Sequence, residues 1–304
     1  MRILVTGAAG FLGRALLRAL ASRSLKDRIT ALDIAPPSNA EATGQVSWLS
    51  GALDDRDWME RAGLQDFDVI YHLASVPGAL AEREPALGRR VNLDATLDLF
   101  DRRAACGRRP RVFYASSVAV YGDMDGRPIG VDSPARPTST YGAHKRMAEI
   151  ALSDQSRRGE LSGIALRLPG LIARPGTAGF GSAFMSELPR AYAAGKPYDC
   201  PVSPESAAWW MSAGCAARNL LRAASIDVCG EVQLPALRLS VAEIVDALSD
   251  LFGPDRRSLI SFKSDERIEV LFGRFPKLST ARDEALGFAD DASSITLIKE
   301  ALAS

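Results

Sequence analysis

The stretch Ile3-Leu4-Val5-Thr6-Gly7-Ala8-Ala9-Gly10-Phe11-Leu12-Gly13 constrains the fold more than any other part of the chain. Its apolar run, 3–5, reads as a buried parallel strand, and the residues after the glycines read as a helix with apolar Leu12, Leu16, Leu17 and Leu20. The three glycines fall in the turn between. Gly7 permits a turn that other residues cannot make, Gly10 lets the backbone approach a pyrophosphate, and Gly13 lets the helix sit close on the strand. Three glycines alone could be simple turn chemistry. Here they follow a strand, open a helix and precede a second strand, 29–32, that ends in Asp33. An acid about 20 residues past such glycines is placed to hold the adenosine ribose hydroxyls. Its charge would repel a 2′-phosphate, and Ile34, Ala35, Pro36 and Pro37 supply no arginine to hold one, which favours NAD over NADP as the cofactor.

Lys plus Arg and Asp plus Glu each number 37 in 304 residues. The balanced charge argues against a nucleic-acid partner bound by general electrostatics. No run of about 18 uncharged apolar residues occurs and the chain opens on a core strand, so neither a membrane span nor a signal peptide is expected and a cytoplasmic location is. Cys106, Cys200, Cys215 and Cys229 are scattered, and with only two histidines no metal site is expected.

Strand-like segments at 46–49, 69–73, 111–115 and 163–168 continue the alternation with helix-like ones, including long amphipathic segments at 84–103 and 141–158. Such βαβ repetition implies an α/β, Rossmann-type doubly wound parallel sheet. Beyond Pro169 the alternation lapses and glycine and proline become frequent. The expected organisation is an NAD-binding domain over 1–170 and a smaller C-terminal substrate lobe over 171–304, with some segments of the latter returning to the first. Helices are expected in the lobe near 182–194, 209–224, 241–251 and 293–303.

Tyr141 and Lys145 stand four apart on a predicted helix and so share one face. Ser117 closes the strand at 111–115, at the carboxyl edge where doubly wound sheets bind ligands. A phenol with an ordinary pKa near 10 is a poor base at neutral pH. Lowering that value by about 3 units takes roughly 4 kcal/mol, which an adjacent ammonium in a desolvated site can supply. Tyr141 then removes a hydroxyl proton as hydride leaves the same carbon, Ser117 holds the substrate oxygen, and Lys145 also reaches the nicotinamide ribose. A Tyr and a Lys at this spacing can also be a plain surface pair; their order after the glycine loop, the acid and the strand-end serine favours chemistry.

Together with His72-Leu73-Ala74, Val91-Asn92, Ser116-Ser117-Val118-Ala119-Val120-Tyr121-Gly122 and Tyr141-Gly142-Ala143-His144-Lys145, the glycine loop resembles the extended short-chain dehydrogenase/reductase family of epimerase/dehydratase type. The resemblance implies Ser117, Tyr141 and Lys145 as catalytic residues. It implies Gly7, Gly10, Phe11, Leu12, Asp33, Leu53, Leu73, Ala74, Asn92, Tyr141, Lys145 and Leu168 around the cofactor. It also implies a homodimer formed through the segments at 84–103 and 141–158. At Ala52 the family commonly has an Asp; either Asp54 substitutes or the contact is absent.

The second half departs from the nucleotide-sugar enzymes of that family. Gly170 stands where they carry an Asn that grips the sugar-nucleotide diphosphate, and the segments Arg167–Gly176 and Cys200–Ser212 resemble instead the D-erythronate dehydrogenase branch. That likeness implies NAD-dependent oxidation of the C2 hydroxyl of a small sugar acid. Arg174, just past a strand end, suits a carboxylate through two parallel hydrogen bonds, or is a surface or structural arginine. Ser75 and Ser203 are further candidate substrate contacts, although Ser203 and Ser206 could equally cap a following helix, and Trp209 and Trp210 suit the lobe core. The loop at 75–80 is mostly apolar and 177–181 lacks the expected Lys and Asn, which leaves fewer partners for a polyol acid and opens the substrate to acids other than erythronate. Two other readings stay open: a nucleotide-sugar 4-epimerase or dehydratase with tightly held NAD, and a non-catalytic NAD-sensing protein.

Overall fold

A computed structural model describes residues 1–23, 26–38, 45–63, 66–174 and 181–303. In chain order the elements are β1 (Arg2–Thr6), α1 (Phe11–Ala21), β2 (Arg28–Asp33), β3 (Val46–Ser50), α2 (Arg56–Arg61), β4 (Val69–His72), α3 (Gly78–Arg83), α4 (Pro85–Arg89), α5 (Ala95–Ala104), β5 (Arg111–Ser117), β6 (Ile129–Gly130), α6 (Thr140–Arg157) and β7 (Ser162–Leu168). They continue with β8 (Gly170–Leu171), α7 (Phe184–Ala193), β9 (Tyr198–Cys200), β10 (Ala207–Met211), α8 (Ala213–Ala223), β11 (Gly230–Gln233), β12 (Leu237–Ser240), α9 (Val241–Phe252), β13 (Ile260–Phe262), α10 (Glu266–Phe272), β14 (Leu278–Ser279), α11 (Ala281–Ala285) and α12 (Ser294–Leu302).

The chain divides into two compact units that are not contiguous in sequence. The first holds residues 1–122, 134–167 and 217–233, and the second 123–133, 168–216 and 234–304. In the first, seven strands pair in the order β11-β7-β5-β4-β1-β2-β3. Every pair whose register is described in this sheet is parallel. From β1 the chain builds outward through β2 and β3, then returns to the other side of β1 with β4. This reversal is the switch point of a doubly wound sheet, where ligands bind at the carboxyl ends of strands. β1, β4 and β5 carry almost unbroken buried residues, as strands covered by helices on both faces must.

The second unit has a three-stranded sheet in the order β12-β10-β8, with the two-stranded pairs β13–β9 and β14–β6. Its core gathers Ile172, Phe184, Leu188, Tyr192, Trp210, Ile244, Leu248, Leu297 and Ile298. Trp209 and Trp210 are fully buried, and their indole N–H groups donate to the carbonyls of Pro276 and Leu239. Among the described residues no helix is long and apolar enough to cross a membrane.

Two expected elements differ. The helix expected at 209–224 is a strand, β10, followed by a shorter helix, α8. The run Trp209-Trp210-Met211 is apolar on both sides, and a short run of that kind suits a covered strand as well as a buried helix. The amphipathic segment at 84–103 is not one regular helix. Pro85 starts α4 at its first position, and residues 90–94 form a turn of π-helix before α5. The glycine-rich positions 175–180 lie outside the described residues.

Candidate active site

The glycine turn is built as a cradle. Gly7 has φ of 68°, and a Cβ there would lie 2.7 Å from the backbone nitrogen of Ala74. A Cβ on Gly13 would meet the Gly7 carbonyl oxygen at 2.2 Å, so the helix rests directly on the turn. Helix α1 begins after Gly10 with no side-chain cap and no acidic residue in its first turn. Its first N–H groups are therefore the donors that a pyrophosphate needs. Phe11 and Leu12 form this first turn and are half-buried.

Asp33, at the end of β2, anchors the glycine turn. Its Oδ2 accepts the Ala9 N–H at 2.9 Å and its Oδ1 accepts the Ala35 N–H at 3.3 Å, which ties the glycine turn to the strand tip. Leu53 is buried against Leu4 and Leu32, with Ala74 and Trp58 at the edge of the same cluster. Asp54 forms an ion pair with Arg90 at 3.7 Å. The residues present thus fit a dinucleotide: a phosphate cradle without side chains, an acid beyond it, and an apolar wall.

The loop after β4 is held from below. The Thr6 hydroxyl accepts the N–H groups of Leu73 and Ala74 at 3.2 and 3.3 Å, which leaves its one proton for Nδ1 of His72 at 2.7 Å. The imidazole then carries its own proton on Nε2 and donates it to Thr96 Oγ1 at 3.0 Å. Burial pushes the His72 pKa down to about 3, with a smaller push from Lys145, so the ring stays neutral. Asn92, in the π-helical turn, accepts the Val76 N–H at 2.7 Å and donates to the Val76 carbonyl at 3.0 Å. Ser75 donates to the same Asn92 oxygen at 3.0 Å. Asn92 therefore uses its amide to fix the loop over residues 75–76. A π-turn re-aims one residue out of a helix, a common device at functional sites.

Helix α6 presents the catalytic candidates. Ser139 caps it by accepting the Gly142 N–H, and the Glu82 carboxylate accepts the Thr140 N–H at 2.5 Å and the Tyr141 N–H at 3.4 Å. A Cβ on Gly142 would lie 2.3 Å from the Ala119 carbonyl oxygen, so this first turn packs tightly against the 3₁₀ turn that follows β5. Ser117 ends β5, and its Oγ accepts the Ala119 N–H at 3.1 Å. Lys145 is 2% exposed; its Nζ donates to the Ala115 carbonyl at 2.7 Å and lies 4.7 Å from the Tyr114 ring centre and 5.5 Å from that of Tyr141. Burial pushes its pKa down to about 7, with Glu149 one turn further on pulling the other way. The first unit thus brings Ser117, Tyr141, Lys145 and the glycine cradle together at one end of its sheet.

Beneath α6 lies a buried charged network that the sequence reading missed. Glu149 is fully buried and accepts the Ser116 hydroxyl at 2.6 Å and two nitrogens of Arg167 at 3.0 Å each. Arg167 also donates to the Tyr121 hydroxyl at 3.1 Å, which donates to Gln233 at 2.9 Å. The spacing 141, 145, 149 repeats every four residues along one helical face, and that was the available signal.

In the second unit, Leu168 is the last residue of β7 and Arg174 follows β8. Ala173, just before Arg174, is buried and has φ of 57°, a conformation that costs a residue with a Cβ about 1–2 kcal/mol. Ser203 is part of a closed cluster: its N–H donates to Glu269 Oε1 at 2.5 Å, its hydroxyl lies 3.0 Å from that of Ser206, and Ser206 donates to Glu269 Oε2 at 2.8 Å. Neither serine caps a helix, because the residues that follow are β10. At Gly170 a Cβ would lie 2.5 Å from Met185 Cε and 3.1 Å from the Trp209 carbonyl oxygen. The Met185 thioether occupies the room an asparagine there would need.

Residues 3–210 match the model of the NAD dependent epimerase/dehydratase family. Among curated proteins, the chain is 35% identical to a D-erythronate dehydrogenase of Cupriavidus necator, covering 98% of this chain and 97% of that one. A D-erythronate dehydrogenase of Haemophilus influenzae is 27% identical over 99% and 98% of the two chains. Among solved structures, a nucleoside-diphosphate-sugar epimerase from Agrobacterium tumefaciens aligns with a TM-score of 0.89 at 32% identity, covering 98% of this chain and 92% of the other. With the cradle, the strand-tip acid and the Tyr141/Lys145 helix in place, the chain belongs to the NAD dependent epimerase/dehydratase family and is an NAD-dependent oxidoreductase.

Proposed function

We propose that the protein oxidises the C2 hydroxyl of a small sugar acid, D-erythronate or a close relative, to a 2-keto acid. NAD bound at the Gly7–Gly13 cradle would supply the hydride acceptor. Tyr141 takes the proton of the C2 hydroxyl, and Ser117 donates a hydrogen bond to the same oxygen while its own Oγ is steadied by the Ala119 N–H. Lys145, beside the Tyr141 ring, stabilises the Tyr141 phenolate by its charge. Arg174 is assigned to the substrate carboxylate and Ser75 and Ser203 to its other hydroxyls, the last requiring release from Ser206.

The observation that carries the reading is the buried Lys145 ammonium, fixed on the Ala115 carbonyl beside the Tyr141 ring. The two D-erythronate dehydrogenases that align over nearly the whole chain support the substrate class. The direct test follows NADH formation with D-erythronate and a panel of aldonates and 2-hydroxy acids. Turnover of D-erythronate or one of these acids is expected, and silence across the panel overturns the proposal. A second reading, action on a nucleotide sugar, draws on the name of the Agrobacterium structure; it predicts conversion of a UDP-sugar without net NADH release. Gly170 weighs against it. We further assign the exposed Met147 and Ile150 of α6 to contact with a second copy of the chain, which sedimentation of the purified protein tests directly: a monomer removes this assignment.

A further inference from the structure

The segment 170–174 passes from a strand to a turn held by side chains of one helix. Gly170 and Leu171 pair with Trp210 and Met211, and the Ile172 N–H still donates to the Met211 carbonyl at 3.1 Å. There the sheet's hold ends. The next peptide plane, between Ala173 and Arg174, is held on both sides by side chains of α7. Its carbonyl oxygen accepts Nε and Nη2 of Arg190 at 3.0 and 2.5 Å, and its N–H donates to the buried Ser186 Oγ at 3.1 Å. Ser186 and Arg190 stand one helical turn apart and so present these groups on one face. Met185, next to them, packs where a side chain at Gly170 would go.

We propose that Ser186 and Arg190 are positioning residues that lock the Ala173–Arg174 peptide and so aim the Arg174 guanidinium at the carboxylate of the substrate; this rests on the assignment of Arg174 to that carboxylate. A peptide plane pinned at both its donor and its acceptor cannot rotate about the flanking Cα atoms, and that rotation is what would swing the Arg174 side chain. The left-handed φ of Ala173 persists because these bonds over-determine it. The locked plane favours substrates that carry a carboxylate for Arg174 to hold.

The test measures steady-state kinetics with D-erythronate for Arg190→Met, Arg190→Lys and Ser186→Ala, alongside NAD⁺ affinity by titration and thermal midpoints. Arg190→Met should lower kcat/KM between about 10- and 100-fold, mainly through KM, with NAD⁺ affinity unchanged. Arg190→Lys, which keeps the charge but loses the fork, should fall between it and the parent. Adding Ala173→Gly to Arg190→Met should recover part of the lost KM, because glycine takes a positive φ without the clamp. An arginine that only stabilised the fold would give a lower thermal midpoint, an unchanged KM and no recovery, and that result overturns the proposal. If Arg174→Met raises KM and Arg190→Met does not, the clamp alone is wrong. If Arg174→Met leaves KM unchanged, the carboxylate assignment is wrong and the clamp is judged by the crystal structure of Arg190→Met, where an unmoved Arg174 refutes it.

Discussion

Lys145 and Arg174 are both cations placed beside proposed chemistry, and the molecule holds them by opposite means. Lys145 rides on the first turns of a regular, capped helix, and the adjoining strand gives it a carbonyl and an aromatic face. Arg174 stands where a strand has ended, on a peptide bent into a left-handed turn and held by side chains from α7. Regular structure carries its own hydrogen bonds, so its periodicity can be read in advance. An irregular turn must borrow partners from elsewhere, and those partners leave no local pattern. The first arrangement gives rigidity to the shared chemistry of a family; the second gives a short segment in which specificity can change without disturbing the sheet.

The most forceful way to break this contrast is at Tyr141. Tyr141→Phe keeps the ring and removes the proton acceptor, so kcat should fall by about 10²- to 10⁴-fold while NAD⁺ affinity holds; unchanged turnover would mean that α6 does not carry the chemistry. Next in size is the charge beneath the helix. Glu149→Gln leaves Arg167 buried without its counter-ion and should cost about 3–5 kcal/mol in urea unfolding, whereas breaking an exposed pair such as Arg127–Asp125 should leave the unfolding midpoint nearly unchanged.

A third experiment uses pH. The Lys145 pKa is near 7 in the folded protein and 10.5 in its absence, so between these values the unfolded chain binds more protons and stability rises with pH. The slope is at most about 1.4 kcal/mol per pH unit from one such group, and the gain is absent below pH 7. Denaturant midpoints of the cofactor-free protein measured across that window should climb for the parent and flatten for Lys145→Met; parallel curves would show that the ammonium is not buried as described. Smallest is the cap. Ser139→Ala should cost about 1 kcal/mol and little activity, since Glu82 still bonds the first N–H groups of α6.

The parts of the molecule legible in the sequence are those where one residue type answers one geometric demand. Gly7 and Gly13 could be read because no Cβ fits there, and Asp33 because it closes an apolar strand at a set distance from them. The family likeness added Asn92, though the structure shows its amide spent on Val76. The π-turn that places Asn92 was hidden, since one extra residue in a helix barely disturbs an apolar stripe. Trp209 and Trp210 do lie in the core as expected, but the helix expected from 209 was misread because a strand covered on both faces has no alternation to show. Arg167 and Glu149 were missed because charged residues are ordinarily outside, and only their mutual pairing permits burial. Ser203 and Ser206 looked like substrate contacts or helix caps, yet both bond Glu269, more than sixty positions away.

The bond between Asp33 and the Ala9 N–H bears on any attempt to redesign coenzyme preference. Exchanging this acid for a neutral or basic residue, the obvious route to accepting a phosphorylated ribose, also strips the anchor from the phosphate turn. Retargeting therefore takes two coordinated changes: one that removes the repulsive charge, and one that returns an acceptor to the orphaned amide.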